Sequence, residues 1–168
     1  RGTLEDRTGR PLAWNERLPV QTGTTTEEDY AVRIYAAYRG LSHAVGYVTV
    51  PSKDSSGVYF RDTFEGVDGA ESAYDEILKG QNGVTLTETD ARGKVVSEAK
   101  VKPPQTGEEL SLSVDAVVNQ GLFDALGARA RAARAQGAAG VVMDVRTGEL
   151  LAMTSYPEYS PQKMVDGD

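Results

Sequence analysis

The chain has 168 residues, no cysteine, one histidine and a formal net charge of −7, with a pI near 4.8. These figures exclude disulfides, thiolate metal sites and a His-rich metal centre, and they make nucleic acid or an anionic lipid surface a poor partner. The length suits one domain or two small subdomains, and at this size about 70% of the unfolded surface can be buried. Hydrophobic residues make up 39% and glycines number 18, a composition of turns and short strands. No run of about 18 apolar residues is present, so nothing here reads as a membrane span. With no Met start or signal-peptide pattern, the chain reads as an excised or processed piece of a longer protein.

In chain order, Arg1 to Trp14 comes first. Leu4, Leu12 and Trp14 flank Asp6-Arg7-Thr8-Gly9, which has strong turn chemistry, so a strand, a tight turn and a second strand are expected. Arg1, Asp6 and Arg7 lie close to this apolar material. A buried one needs a partner, and Glu71 is the best acidic candidate; the alternative is three solvated turn charges. Gln21 to Asp29 is polar and reads as a linker. Tyr30 to Tyr38 reads as a strand whose apolar set is Val32, Ile34 and Ala36, against Arg33 and Tyr35. Leu41 to Val50 reads as a helical turn and a strand, and His43 as a structural histidine. Pro51 to Gly69 reads as mostly irregular. Its Tyr59, Phe60 and Phe64 either pin the loop to the body or form a candidate partner surface.

Residues of about 70–79 read as a short helix with Tyr74, Ile77 and Leu78 on one face and Gly80 as its stop. Gly83 to Lys102 reads as a hairpin turning at Asp90 to Gly93, with Pro103-Pro104 ending the ladder. A strand over Leu110 to Val114 leads to Asp115, which caps a long helix of about 116–136. Its buried stripe is read as Val118, Leu122, Ala125 and Leu126. Arg129, Arg131 and Arg134 suit its C-terminal end, and Gly127 costs it about 1 kcal/mol against Ala. Ala138 to Tyr156 is the clearest hairpin: Val141, Val142 and Met143 go in, Asp144 to Gly148 turns, and Leu150 to Met153 returns. Both strands are rich in apolar residues, so both faces expect cover, and the short tail after it leaves one face short of it. The fold class is therefore α+β, built of short strands and hairpins with one long and one short helix.

Several of these segments resemble class B penicillin-binding proteins. Arg1-Gly2, Asp6-Arg7, Gly9 and Leu12-Ala13 are similar to that family's RGxIxDRxGxxLA opening. Gly66, Gly69, Glu71, Tyr74-Asp75, Leu78 and Gly80 resemble its GxxGLExxYDxxLxG segment, with Ala70 in place of the usual Leu. His43 to Val48, the run Pro104, Gly107, Leu110, Leu112 and Asp115, and the run Asp144, Thr147-Gly148, Leu151-Ala152 and Pro157 match in order. The resemblance implies that Arg1 pairs with Glu71. It also implies a non-catalytic pedestal over 1–137, with a shortened or absent head at 21–29, then the first hairpin of the transpeptidase domain and a tail over 138–168. Arg1, Gly2, Asp6, Arg7, Gly9, Gly69, Glu71, Tyr74, Asp115, Asp144 and Gly148 are its structural motif residues.

Serine acyl transfer of that family needs SxxK, SxN and KTG together. Ser97 to Lys100 lies on an expected strand, where residues three apart face opposite ways. Ser160 to Lys163 lies in a short tail with no following core, and neither SxN nor KTG occurs. No phosphate loop or carboxylate pair across a cleft is marked. No catalytic, metal or cofactor residue is assigned. The resemblance implies a positioning region of a peptidoglycan D,D-transpeptidase outside the cytoplasmic membrane, its parent anchored by an N-terminal helix. The implied partners are a SEDS-family (RodA-like) glycosyltransferase, MreC and the remaining transpeptidase domain. Lys102 to Gln105 and Met164 to Gly167 lean to the elongation type, similar to penicillin-binding protein 2. The rival readings are a self-sufficient serine hydrolase and a free-standing extracytoplasmic binding module.

Overall fold

A computed structural model of the chain describes residues 1–17, 31–56, 59–90, 92 and 95–167. The linker reading of 21–29 lies outside the described residues. In order the elements are β1 (Leu4–Glu5), β2 (Pro11–Arg17), β3 (Ala31–Tyr35), α1 (Ser42–Val45), β4 (Val48–Thr49), β5 (Ser52–Lys53), β6 (Tyr59–Arg61), β7 (Glu65–Gly66), α2 (Gly69–Ala73), α3 (Asp75–Leu78), β8 (Val84–Thr89), β9 (Val95–Lys102), β10 (Leu110–Ser111), α4 (Ala116–Ala133), β11 (Ala138–Met143), β12 (Leu150–Tyr156) and α5 (Pro161–Asp166). The class is α+β. None of the described helices is long and apolar enough to cross a membrane.

The central sheet has the order β10-β1-β2-β3. Its opening turn forms because the Asp6 side chain accepts from Thr8 N at 2.7 Å while Gly9 takes a φ of +80°. β1 and β2 are antiparallel, β3 adds antiparallel to β2, and β10 joins β1 in parallel. Leu4, Leu12, Ala13, Leu41, Val45, Leu78 and Val114 form the core on this sheet. The β3 faces are the reverse of the expected ones. Arg33 and Tyr35 are buried, and Val32 and Ile34 are half-buried. The buried carboxylate of Glu71 lies on that side and requires a cation there.

Two further expectations change in the middle of the chain. The segment read as irregular contains paired strands, β5 with β6 and β7 with β4. The expected single helix at 70–79 is two pieces, because Tyr74 leaves helical geometry (φ −118°, ψ 27°) between α2 and α3. That break sets the Asp75 carboxylate 2.8 Å from Gly66 N. Of the expected face only Leu78 is buried, while Tyr74 and Ile77 are exposed. β8 and β9 pair antiparallel, as the hairpin reading requires.

Helix α4 begins where expected, with the Asp115 carboxylate accepting from Val117 N and Val118 N. It ends sooner than Gln136. Arg134 adopts a φ of +56° and Ala135 N bonds back to Ala130 O, a closure that turns the chain into β11. The buried stripe is Ala116, Asn119, Phe123, Gly127 and Ala130, not the predicted one: Val118 and Ala125 are exposed. Shape and hydrogen bonding set this rotation. A side chain at Gly127 would meet the Tyr156 ring at 3.0 Å, so the glycine makes room for that ring. Leu122 and Leu126 lie over Gly140. Asn119 is fully buried; its Nδ2 donates to Gly40 O at 2.7 Å and its Oδ1 accepts from Met153 N at 2.8 Å.

The β11–β12 hairpin is paired from Ala138 with Tyr156 to Met143 with Leu150. β11 alternates half-buried and exposed residues, so only Val142 of the expected inward set turns toward α4. Val141, Met143 and Met153 are 57%, 52% and 39% exposed on the strands. The tail also differs from expectation. It forms α5, and Val165 packs against the core. Asn119→Ala removes both of its bonds and leaves buried backbone groups unpaired. Urea unfolding should show a loss of about 2–4 kcal/mol, far more than Val118→Ala on the exposed side.

Candidate functional site

The densest set of buried charge lies between the opening segment, β3, α2 and α3. Glu71 is fully buried and shared by two arginines. Arg1 Nε donates to its Oε2 at 2.6 Å, and Arg33 Nε donates to its Oε1 at 2.8 Å. Arg33 Nη2 is also 2.8 Å from Oε1, at an angle that forms no hydrogen bond. Arg1 Nη2 donates to the Glu71 carbonyl at 2.7 Å, and Arg1 Nη1 to Asp75 Oδ1 at 2.7 Å. Arg33 Nη1 reaches Gly2 O at 2.8 Å and Asn15 Oδ1 at 3.0 Å. Tyr35 donates its hydroxyl to Glu71 Oε1 at 3.3 Å. Two guanidinium groups thus face two carboxylates, and most of their remaining donors are spent on backbone carbonyls and Asn15. That balance is what makes burial of the set tolerable. Burial, followed by the Glu71 charge, pushes the Tyr35 hydroxyl up. Burial works against ionised Asp75, but the Gly66 N–H and the Arg1 guanidinium outweigh it and hold that carboxyl below its ordinary range.

Asp6 is the second buried acid. Its Oδ1 accepts from Thr8 N, Thr8 Oγ1 and Arg10 N at 2.7, 2.7 and 3.0 Å. Its Oδ2 accepts from Ala116 N, the first residue of α4, at 3.2 Å. Burial raises its carboxyl, and the bonds from Thr8, Arg10 and Ala116 more than reverse that, leaving it well below the usual carboxylate range. Asp6 therefore fixes the turn and also holds the start of α4 to the sheet. Arg7 is different. It is exposed, with Glu149 Oε2 at 3.4 Å, a solvated pair of small value.

The other motif residues serve the backbone. Gly2 passes so close to the Glu108 carbonyl that no side chain fits. Gly69 (φ +55°) packs on Gly46 in the same way. Gly9 and Gly148 sit in turns at positive φ, and Asp144 accepts from Arg146 N at 2.9 Å across the second turn. Asp115 caps α4, and Tyr74 is the exposed break between helices. Phe64 is half-buried, with its carbonyl 3.4 Å from Arg1 Nη1. Tyr59 and Phe60 lie on β6, and their side chains fall outside the described residues. His43 is exposed, edge-on to Tyr159 at 5.0 Å and 4.0 Å from Asp68. Among the described residues no group of His, Asp and Glu is placed to hold a metal. Ser97 and Lys100 lie on β9. Ser160 caps α5 by accepting from Lys163 N at 3.4 Å, so its hydroxyl has a structural task.

Sequence reasoning missed Arg33, Tyr35, Asp75 and Asn119. Arg33 carried a signal: it is the lone charge in an apolar strand, on the same face as an aromatic hydroxyl. Glu71→Gln should cost about 3–5 kcal/mol in urea unfolding, because it leaves two buried cations under-neutralised. Asp6 and Asp75 ionise more readily folded than unfolded. Their stabilisation is therefore present above about pH 4 and is lost as pH falls through the lower folded values. Asp6→Asn should lower stability at pH 7, and the gap to the unchanged chain should narrow below about pH 4 in thermal melts.

A family model described as the penicillin-binding protein dimerisation domain matches residues 20–112. The peptidoglycan D,D-transpeptidase MrdA of Escherichia coli K12 is 35% identical to this chain, over 82% of the chain and 22% of the relative. FtsI of the same strain, also a peptidoglycan D,D-transpeptidase, is 27% identical over 79% and 20%. The chain thus spans about a fifth of the length of these curated relatives. Among solved structures, penicillin-binding protein 2X of Streptococcus thermophilus matches with a TM-score of 0.72 at 18% identity, covering 96% of this chain and 35% of that one. Penicillin-binding protein 3 of Mycobacterium tuberculosis matches at 0.64 and 23%, covering 96% and 29%; at such identities the likeness concerns the fold. The family match spans the strands and helices that supply Arg33, Glu71 and Asp75, and with it this chain belongs to the penicillin-binding protein dimerisation-domain family.

Proposed function

We propose that this chain is the non-catalytic positioning region of a class B peptidoglycan D,D-transpeptidase. It sets the height and orientation of the catalytic domain on the outer side of the cytoplasmic membrane, in a parent anchored by an N-terminal helix. The observation that carries the reading is the uncovered apolar face of β11–β12, with Val141 and Met143 more than half exposed while α4 covers the opposite face. A free-standing module would bury that face within itself. The remaining transpeptidase domain is the cover proposed for it.

The boundary between the two parts is better drawn near 113–115 than at 137. The family match ends at 112, α4 begins at Ala116, and α4 packs on both β11 and β12. In this division the pedestal comprises the central sheet, α1 to α3 and the β8–β9 hairpin. The α4 layer and hairpin then open the transpeptidase unit. The loop carrying Tyr59, Phe60 and Phe64 is the proposed contact surface for a SEDS-family (RodA-like) glycosyltransferase or MreC. The elongation type is proposed from the Lys102 to Gln105 and Met164 to Gly167 segments.

Titrating the purified chain onto the detergent-solubilised glycosyltransferase of its own operon, with polymerisation followed in parallel, tests the partner reading. Binding with altered polymerisation is expected, and its absence would place the contact elsewhere in the parent. Labelled penicillin should give no adduct on intact mass; an adduct on Ser160 would overturn the non-catalytic reading. Val141→Thr with Met143→Gln should lower the binding of an apolar dye while shifting unfolding by less than about 1 kcal/mol, because those side chains face solvent in this chain.

A further inference from the structure

Among the described residues strand β3 is the outer strand of the central sheet, and an open edge is a row of unpaired N–H and C=O groups. The N–H of Ala36 turns inward to Leu12 O at 2.9 Å, and that of Tyr35 turns outward. Gln162, on α5, meets this edge with both ends of its amide. Its Oε1 accepts from Tyr35 N at 3.0 Å and its Nε2 donates to Arg33 O at 3.3 Å. A single side chain thereby does the work of one rung of a fifth strand.

The rest of the segment is fastened nearby. Glu158 Oε1 accepts from Gly40 N at 2.7 Å, and Ser42 Oγ lies 2.6 Å from Glu158 Oε2. The N-cap residue of α1, Leu41, offers no side-chain acceptor, so Glu158 supplies one from across the chain. Tyr159 Oη lies 2.9 Å from both Ser42 O and Asp68 Oδ2. The two residues whose backbone Gln162 holds are the two β3 residues whose side chains hold Glu71. One strand thus carries the strap on its outer edge and the ion cluster on its inner face.

We propose that residues 158–165 form a strap that locks the hairpin layer onto the central sheet, and that Gln162 couples this strap to the Glu71 cluster through Arg33 and Tyr35. Release of the strap opens the β3 edge and loosens the cluster together. Loosening of the cluster likewise weakens the strap, because coupling between two sites is reciprocal. The inference stands on contacts within this chain and does not depend on the partner reading above.

Amide hydrogen exchange on the whole chain tests it, read at position 35 with Ala36 as the internal reference. Gln162→Ala should speed exchange at position 35 by roughly five- to tenfold and leave Ala36 unchanged. Gln162→Glu, which keeps the acceptor and loses the donor, should give a smaller rise. No change at position 35, or an equal rise at Ala36, would overturn the lock. Tyr35→Phe removes the hydroxyl bond to Glu71. Combined with Gln162→Ala it should give less than the product of the two separate fold-changes; a simple product would overturn the coupling.

Discussion

The fold depends on one buried carboxylate. Glu71 sits without solvent between Arg1 and Arg33, and these residues come from three segments far apart in sequence. A lone carboxylate in that position would cost several kcal/mol. The same cost makes the arrangement selective. Any packing of β3, α2 and the opening strand that separates the arginines from Glu71 strands a charge in the core. The cluster therefore fixes register and orientation more than it adds net stability, since an apolar replacement of similar shape could be as stable.

A second joint connects this sheet to the α4 layer, and it is made of polar groups as well. Asp6 bonds the first N–H of α4, Asn119 bridges Gly40 and Met153, and Ser113 Oγ donates to Leu150 O at 3.0 Å. Hydrogen bonds are directional where apolar contact is not, so such a joint holds an angle between layers. The apolar contacts in this layer, Phe123 and Gly127 against Tyr156, fill the space that the polar joint defines.

The two faces of the β11–β12 hairpin make the same point from outside. One face is closed by α4, and the other leaves Val141, Met143 and Met153 to solvent. The low overall charge density of this strand pair contrasts with the acidic remainder of the chain, and suits contact with protein better than with water.

How much of this was legible in the sequence follows the range of the forces involved. The Asp6 to Gly9 turn, the Asp115 cap, and the hairpins at 83–102 and 138–156 were legible, because turn chemistry, capping and alternation act within a few residues. The meeting of Arg1 with Glu71 was legible from two sides, a charge beside apolar residues that needs a partner and a motif that supplies one. The inward face of β3, the rotation of α4 and the docking of α5 were not. Local alternation allows either face of β3 to be buried, and the choice went to Arg33 because Glu71 arrives from 38 residues away. α4 could have buried Val118, and instead buries Asn119 because Gly40 O and Met153 N wait there. Gln162 reads as a surface residue until β3 presents an open edge to it. Sequence determined the elements whose causes are local, the turns, the caps and the two long hairpins, but not the short paired strands β5 with β6 and β7 with β4, the break at Tyr74 or α5, which form only against neighbours the fold supplies. Tertiary structure alone decided which faces turn inward, because a buried polar group is satisfied only by a partner that the fold has first to deliver.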